Sequence, residues 1–101
     1  MISREDYAKR RSWGEALRRR RIAKGLSQTV VSIRAELSHT MLAKYERDGV
    51  VPTMFVGSRI LKVLSWTLEE WAEAAEEIYA DGSWYNERFD HDYGYGDRRV
   101  K

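Results

Sequence analysis

An all-α protein of five helices is what the sequence predicts, and three observations lead there. Helix-start and helix-stop residues punctuate the chain at helical intervals, with Ser or Thr at 12, 27, 38 and 67 and glycine at 25 and 49. From Leu68 to Tyr79 the apolar residues recur with a helical period. Alternating apolar–polar runs closed by hairpin turns, the mark of a sheet, do not occur.

Ser12-Trp13-Gly14-Glu15 has the form of a capping box and predicts a first helix from there to about Lys24, stopped by Gly25. Residues 3–11, SREDYAKRR, are either a separate turn or an upstream extension of that helix. Ser27 is a good cap for a second helix over about 28–35, and Ser38 for a third from about 39 to Asp48, ended by Gly49. Pro52, the only proline, opens a fourth helix over about 53–64. Thr67-Leu68-Glu69-Glu70 is a second capping box, opening a fifth helix. Its apolar stripe is Leu68, Trp71, Ala72, Ala75, Ile78 and Tyr79, with glutamates on the other side. Beyond Gly82 the chain becomes an aromatic tail, rich in turn formers and poor in aliphatics. The expected organisation is a basic N-terminal extension (1–11), a central helical domain (12–66), and a C-terminal helix with the aromatic tail (67–101).

The chain has 101 residues, enough for one modest core. It lacks cysteine, which removes disulfides and thiolate metal sites. Its apolar runs are far shorter than a membrane span, and the N-terminus has no signal-peptide core. A soluble, cytoplasmic protein is expected. The net charge of +2 hides a gradient: residues 1–25 carry +6, residues 26–66 carry +2 and residues 67–101 carry −6. Such a gradient suits a polyanion partner at the front, although charge blocks also arise as solvated helix faces.

Catalysis is not expected, because no nucleophile has a base at a recognisable spacing and no glycine-rich phosphate loop occurs. Asp90-His91-Asp92 offers at most two ligands on one side of an extended chain. No metal, cofactor or small-molecule substrate is expected.

The third helix carries the functional signal. With Leu42 facing the core, Tyr45 and Glu46 share its side at about 100° per residue. Thr40, Ala43, Lys44 and Arg47 face the opposite way, with His39 at the N-terminal edge. A face of small, hydroxyl and basic side chains suits the major groove. Lys44 or Arg47 can donate to guanine, Thr40 to several base edges, and the Ala43 methyl can touch thymine.

From Leu17 to about Trp71 the chain resembles the λ-repressor-like helix-turn-helix family, the XRE-type domains of phage Cro and CI repressors. The matching residues are Gly25-Leu26-Ser27-Gln28, then Leu37-Ser38-His39-Thr40-Met41-Leu42, Tyr45-Glu46-Arg47, Pro52 and Ile60-Leu61-Lys62-Val63-Leu64. The resemblance implies that His39, Thr40, Ala43, Lys44 and Arg47 lie at base-reading positions, Arg47 at the end where backbone contact is equally open. Gln28 and Ser38 would meet phosphates, and Leu17, Leu26, Val31, Leu37, Leu42, Ile60 and Leu64 would fill the core.

It also resolves the run Arg18-Arg19-Arg20-Arg21. Arg21 lies about 40° from Leu17 on the core side, and the resemblance pairs it with Glu46 as a strut between the first and third helices. Arg18, Arg19 and Arg20 are expected to be solvated or to reach phosphates, Arg18 and Arg19 being the phosphate candidates. Three positions depart from the family pattern. Glu36 replaces the turn glycine, Ser32 replaces a small alanine, and the DGVVP connection is slightly long.

For the C-terminal part, Trp71, Ile78, Tyr79, Trp84, Tyr85 and Phe89 are candidates either for completing the core or for a homodimer surface. A dimer would match two half-sites ~34 Å apart. The resemblance implies a sequence-specific double-stranded-DNA-binding repressor. It would be of the short phage Cro or immunity-repressor kind, since the length leaves no room for a protease-like C-terminal domain, and it would work on the nucleoid of a bacterial host. The rival readings are the antitoxin of a toxin–antitoxin pair and a protein-interaction module that keeps the fold without binding DNA.

Overall fold

The computed structural model describes residues 2–85. They form five helices: α1 (Arg4–Ala23), α2 (Gln28–Ala35), α3 (His39–Arg47), α4 (Met54–Val63) and α5 (Leu68–Asp81). Each is opened by a hydroxyl that accepts from the backbone N–H three residues on. These caps are Ser3, Ser27, Ser38, Thr53 and Thr67. At Thr67 the capping box is complete, with Glu70 accepting from the Thr67 N–H at 2.9 Å.

The first helix corrects the sequence reading. Ser12 is not a cap: it lies inside α1, fully buried, and its hydroxyl donates to the Ala8 carbonyl at 2.8 Å. Helix continues upstream because residues 4–11 contain no breaker and their burial of Ala8 and Arg11 rewards propagation. The true cap is Ser3, with Glu5 and Asp6 in the first turn where the helix dipole favours acid.

α1 packs chiefly along α5 and across α3, while α2 packs on α4 and α3. The core between them is built from Leu17, Val31, Leu42, Ile60, Leu64 and Trp71. Leu26 and Leu37, expected in the core, lie at its edge, half-buried. The crossing of α1 and α3 is close because of Gly14. Any Cβ there would run into the carbonyl oxygens of Tyr45 and Glu46. The sequence reading had placed this glycine inside a cap; its work is to let two backbones touch.

Two of the candidate dimer residues belong to the core instead. Trp71 and Ile78 are each only 5% exposed. Trp71 meets Trp13 edge-on at 4.7 Å and donates to the Trp13 carbonyl at 2.9 Å. Burial within the chain leaves Ile78 and most of the Trp71 side chain with little surface to offer a second copy. Trp84 is half-buried, edge-on to Tyr7 at 6.2 Å, and its carbonyl accepts from Arg11 at 3.2 Å. Tyr79 is half-buried and Tyr85 exposed. Phe89 and the Asp90-His91-Asp92 cluster lie outside the described residues.

α2 ends on Glu36 in the left-handed conformation, φ 60° and ψ 49°. The closure is of Schellman type, Leu37 N–H reaching the Ser32 carbonyl at 3.0 Å and Glu36 N–H the Ile33 carbonyl at 3.2 Å. Arg59 of α4 reinforces it, donating to the Ala35 carbonyl at 2.7 Å and the Glu36 carbonyl at 3.3 Å. A cation at this helix end offsets part of the strain of a non-glycine residue there.

Candidate nucleic-acid interface

α2 and α3 form two short helices joined by the turn at Glu36–Leu37, and α3 divides cleanly into two faces. Leu42, Tyr45 and Glu46 are buried on one. His39, Thr40 and Lys44 are exposed, and Ala43 and Arg47 are half-buried. Ser38 is exposed, and its Oγ accepts from Met41 N–H at 3.1 Å, so it caps the helix while standing at its solvent edge. The five candidate base-reading side chains therefore share one helix, and none of them is acidic.

Behind that face, Glu46 gathers three helices. Arg21 of α1 reaches it with both arms of the guanidinium, Nε to Oε2 at 2.7 Å and Nη2 to Oε1 at 3.0 Å. Gln28 of α2 donates from Nε2 to Oε1 at 2.9 Å. Arg21 is itself held at the Leu26 carbonyl, 2.9 Å from Nη1. The expected Arg21–Glu46 pair is thus present, and it is bidentate and shielded, with the carboxylate side chain 3% exposed and the arginine 13%. Gln28's part in it was not foreseen. Its spacing from Glu46 carries no helical signal, so only the packing of α2 against α3 shows it.

The remaining arginines of the run are not simply solvated charges. Arg18 and Arg19 both donate to Glu15 Oε2, at 3.0 and 2.9 Å, and Arg19 also donates to the Ser83 carbonyl at 3.1 Å. Arg20 donates to the Leu64 and Ser65 carbonyls at 3.0 and 3.1 Å and stacks near Trp66. Long stems carry the charge to acceptors on other elements, the carbonyls just after α4 for Arg20 and a residue beyond α5 for Arg19, while Glu15 holds Arg18 within α1. Arg18 pairs within α1, while Arg19, Arg20 and Arg21 tie it to other elements, so the run holds three struts rather than one.

Position separates the phosphate candidates. Arg18 lines a small cavity with Gln28, Glu46 and Arg47, at the base of α3. Arg19 is turned toward the far end of α5 through Ser83. Among the described residues no cluster of three His, Asp or Glu could hold a metal, and no helix is long and apolar enough to cross a membrane.

Five helices with a tight two-helix turn and a basic outward helix define a DNA-binding regulatory domain. The comparison with known families agrees: a helix-turn-helix family model matches residues 17–71, more than half of the chain. The protein belongs to that helix-turn-helix family, of the Cro/CI (XRE) type. No curated protein and no solved structure matches the chain.

Proposed function

We propose that the protein is a sequence-specific double-stranded-DNA-binding transcriptional regulator, a repressor of the phage Cro or immunity type, that lays α3 in the major groove. One observation carries the reading: the acid-free face of α3 exposes His39, Thr40 and Lys44 while its opposite face is fastened through Glu46 to α1 and α2. A helix held this way presents Thr40 and Lys44 to base edges with little reorganisation on binding. His39, Ala43 and Arg47 flank them.

Ser38 and Arg18 are assigned here to phosphates flanking the groove, as is the N-terminus of α2 at Gln28. Gln28 then plays two parts, because Nε2 carries two hydrogens and Glu46 uses one. Arg19, committed to Glu15 and Ser83, is the weaker phosphate candidate.

A single unit of this size buries only ~600–1,000 Å² on DNA, so tight binding calls for a second copy on an adjacent half-site. Of the dimer candidates, Tyr85 offers an exposed ring, and Tyr79 and Trp84 offer edges.

Binding of the full-length protein to mixed duplex DNA at several salt concentrations tests the reading. Contact with ~6 phosphates makes affinity fall as roughly the fifth to sixth power of salt. Affinity that ignores salt would instead mark an interaction module that kept the fold alone.

A further inference from the structure

An open groove of about 700 Å³ runs between α4, the first half of α1 and the start of α5. It exists because the helices pair off elsewhere: α1 lies along α5 and α3, α2 along α4 and α3, and no extensive pairing joins α4 to α1 or α5. The floor is apolar, made by Trp13, Leu61, Trp66 and Trp71. The Trp71 hydrogen bond and ring contact to Trp13 hold that floor in shape before anything binds. On the lip, Val51 is 49%, Met54 74% and Leu68 43% exposed, and Phe55 extends the apolar surface along α4. Exposed apolar residues beside a preformed groove mark a docking surface.

Charge selects the occupant. Among the described residues, the charged ones lining the groove are Lys9, Arg10 and Lys62, and none is a carboxylate. Lys9 is shared with exposed Glu5 at 3.4 Å and lies over Tyr79, so Arg10 and Lys62 supply most of the uncompensated charge. A second copy of the same patch is a poor fit, because an isologous contact would bring six cations to one apolar junction. None of the lining residues is among the DNA-facing candidates on α3.

We propose that this groove binds an acidic amphipathic helix of another protein, with large apolar side chains on one face seated on the tryptophan floor and carboxylates beside Arg10 and Lys62. The proposal does not depend on α3 binding DNA.

The test uses the full-length protein and two fluorescently labelled synthetic helical peptides. One carries Leu and Trp along one face and glutamate elsewhere; in the other, lysine replaces every glutamate. Anisotropy titration is expected to show saturable binding of the glutamate peptide, preferred at least ~10-fold over the lysine peptide. Met54→Asp should abolish binding, and Arg10→Glu with Lys62→Glu should reverse the preference, both with unchanged circular dichroism melting. Equal binding of both peptides, no saturable binding, or a preference unmoved by the charge reversal would overturn the proposal. Two further outcomes also overturn it. Binding seen only after amides replace Glu87, Asp90, Asp92 and Asp97 would give the groove to this chain's own tail. Binding lost as sedimentation shows self-association would give it to a second copy.

Discussion

Replacing Arg21 by alanine strips the Glu46 carboxylate of two of the three hydrogen bonds it accepts among the described residues, leaving the one from Gln28. The carboxylate is 3% exposed and has little access to water in compensation. Removing one partner of a buried pair costs roughly 3–5 kcal/mol; the small space vacated by the guanidinium admits solvent, which places Arg21→Ala near the lower end, about 3 kcal/mol. Glu46→Ala is milder, about 2 kcal/mol, because the guanidinium is 13% exposed, keeps the Leu26 carbonyl and can swing outward on its stem. The double variant has no stranded charge and should fall short of the sum of the two by about 2 kcal/mol. Urea unfolding followed by far-UV circular dichroism measures all three against the native chain, with an unchanged slope as the check on two-state behaviour. For a domain of this size, 3 kcal/mol lowers Tm by about 12–24 °C. Single variants that each lose under ~1 kcal/mol, or that add without coupling, would refute the strut. Base preference of Arg21→Ala, measured well below its melting temperature, should change less than its stability.

The remaining expectations concern backbone and groove. Gly14→Ala forces a Cβ onto the Tyr45 and Glu46 carbonyls and must push α1 from α3, costing about 1–3 kcal/mol in the same unfolding assay; a neutral result would mean the crossing is looser than described. Glu36→Gly relieves the left-handed residue that ends α2 and should stabilise by about 1 kcal/mol, a Tm rise of about 4–8 °C by calorimetry. On the functional side, Lys44→Ala should relax discrimination at one base pair by ~1–3 kcal/mol, read by selection from a randomised duplex pool. An unaltered preference would remove Lys44 from the base-reading set.

Where a residue acts within a turn or two of itself, its role was legible along the chain. Ser27, Ser38 and Thr67 cap helices because a hydroxyl can satisfy an N–H three residues away whatever lies beyond. The split of α3 into a buried Leu42–Tyr45–Glu46 face and an outward Thr40–Lys44 face follows from helical period alone. Arg21 and Glu46, 25 residues apart, needed the family resemblance to be paired.

Ser12 shows where local signals fail. Its capping pattern is real as a sequence, yet helix continued through it, because burying Ala8 and Arg11 outweighed a cap that no terminus required. The arginine run fails for a different reason. A long flexible stem lets Arg19 and Arg20 reach acceptors chosen by the end of α4 and the segment after α5, and nothing within four residues of them names Leu64, Ser65 or Ser83.

Five helices, the caps at Ser27, Ser38 and Thr67, and an α3 with one buried and one outward face were therefore written into the chain itself, since hydrogen bonds to near neighbours and a fixed helical pitch are properties of short segments. Which tryptophans became core, why α1 needs a glycine at 14, where three arginines attach and that a groove stays open beside α4 emerged only once distant helices met. Burial and close approach belong to pairs of elements, and no single stretch contains both members.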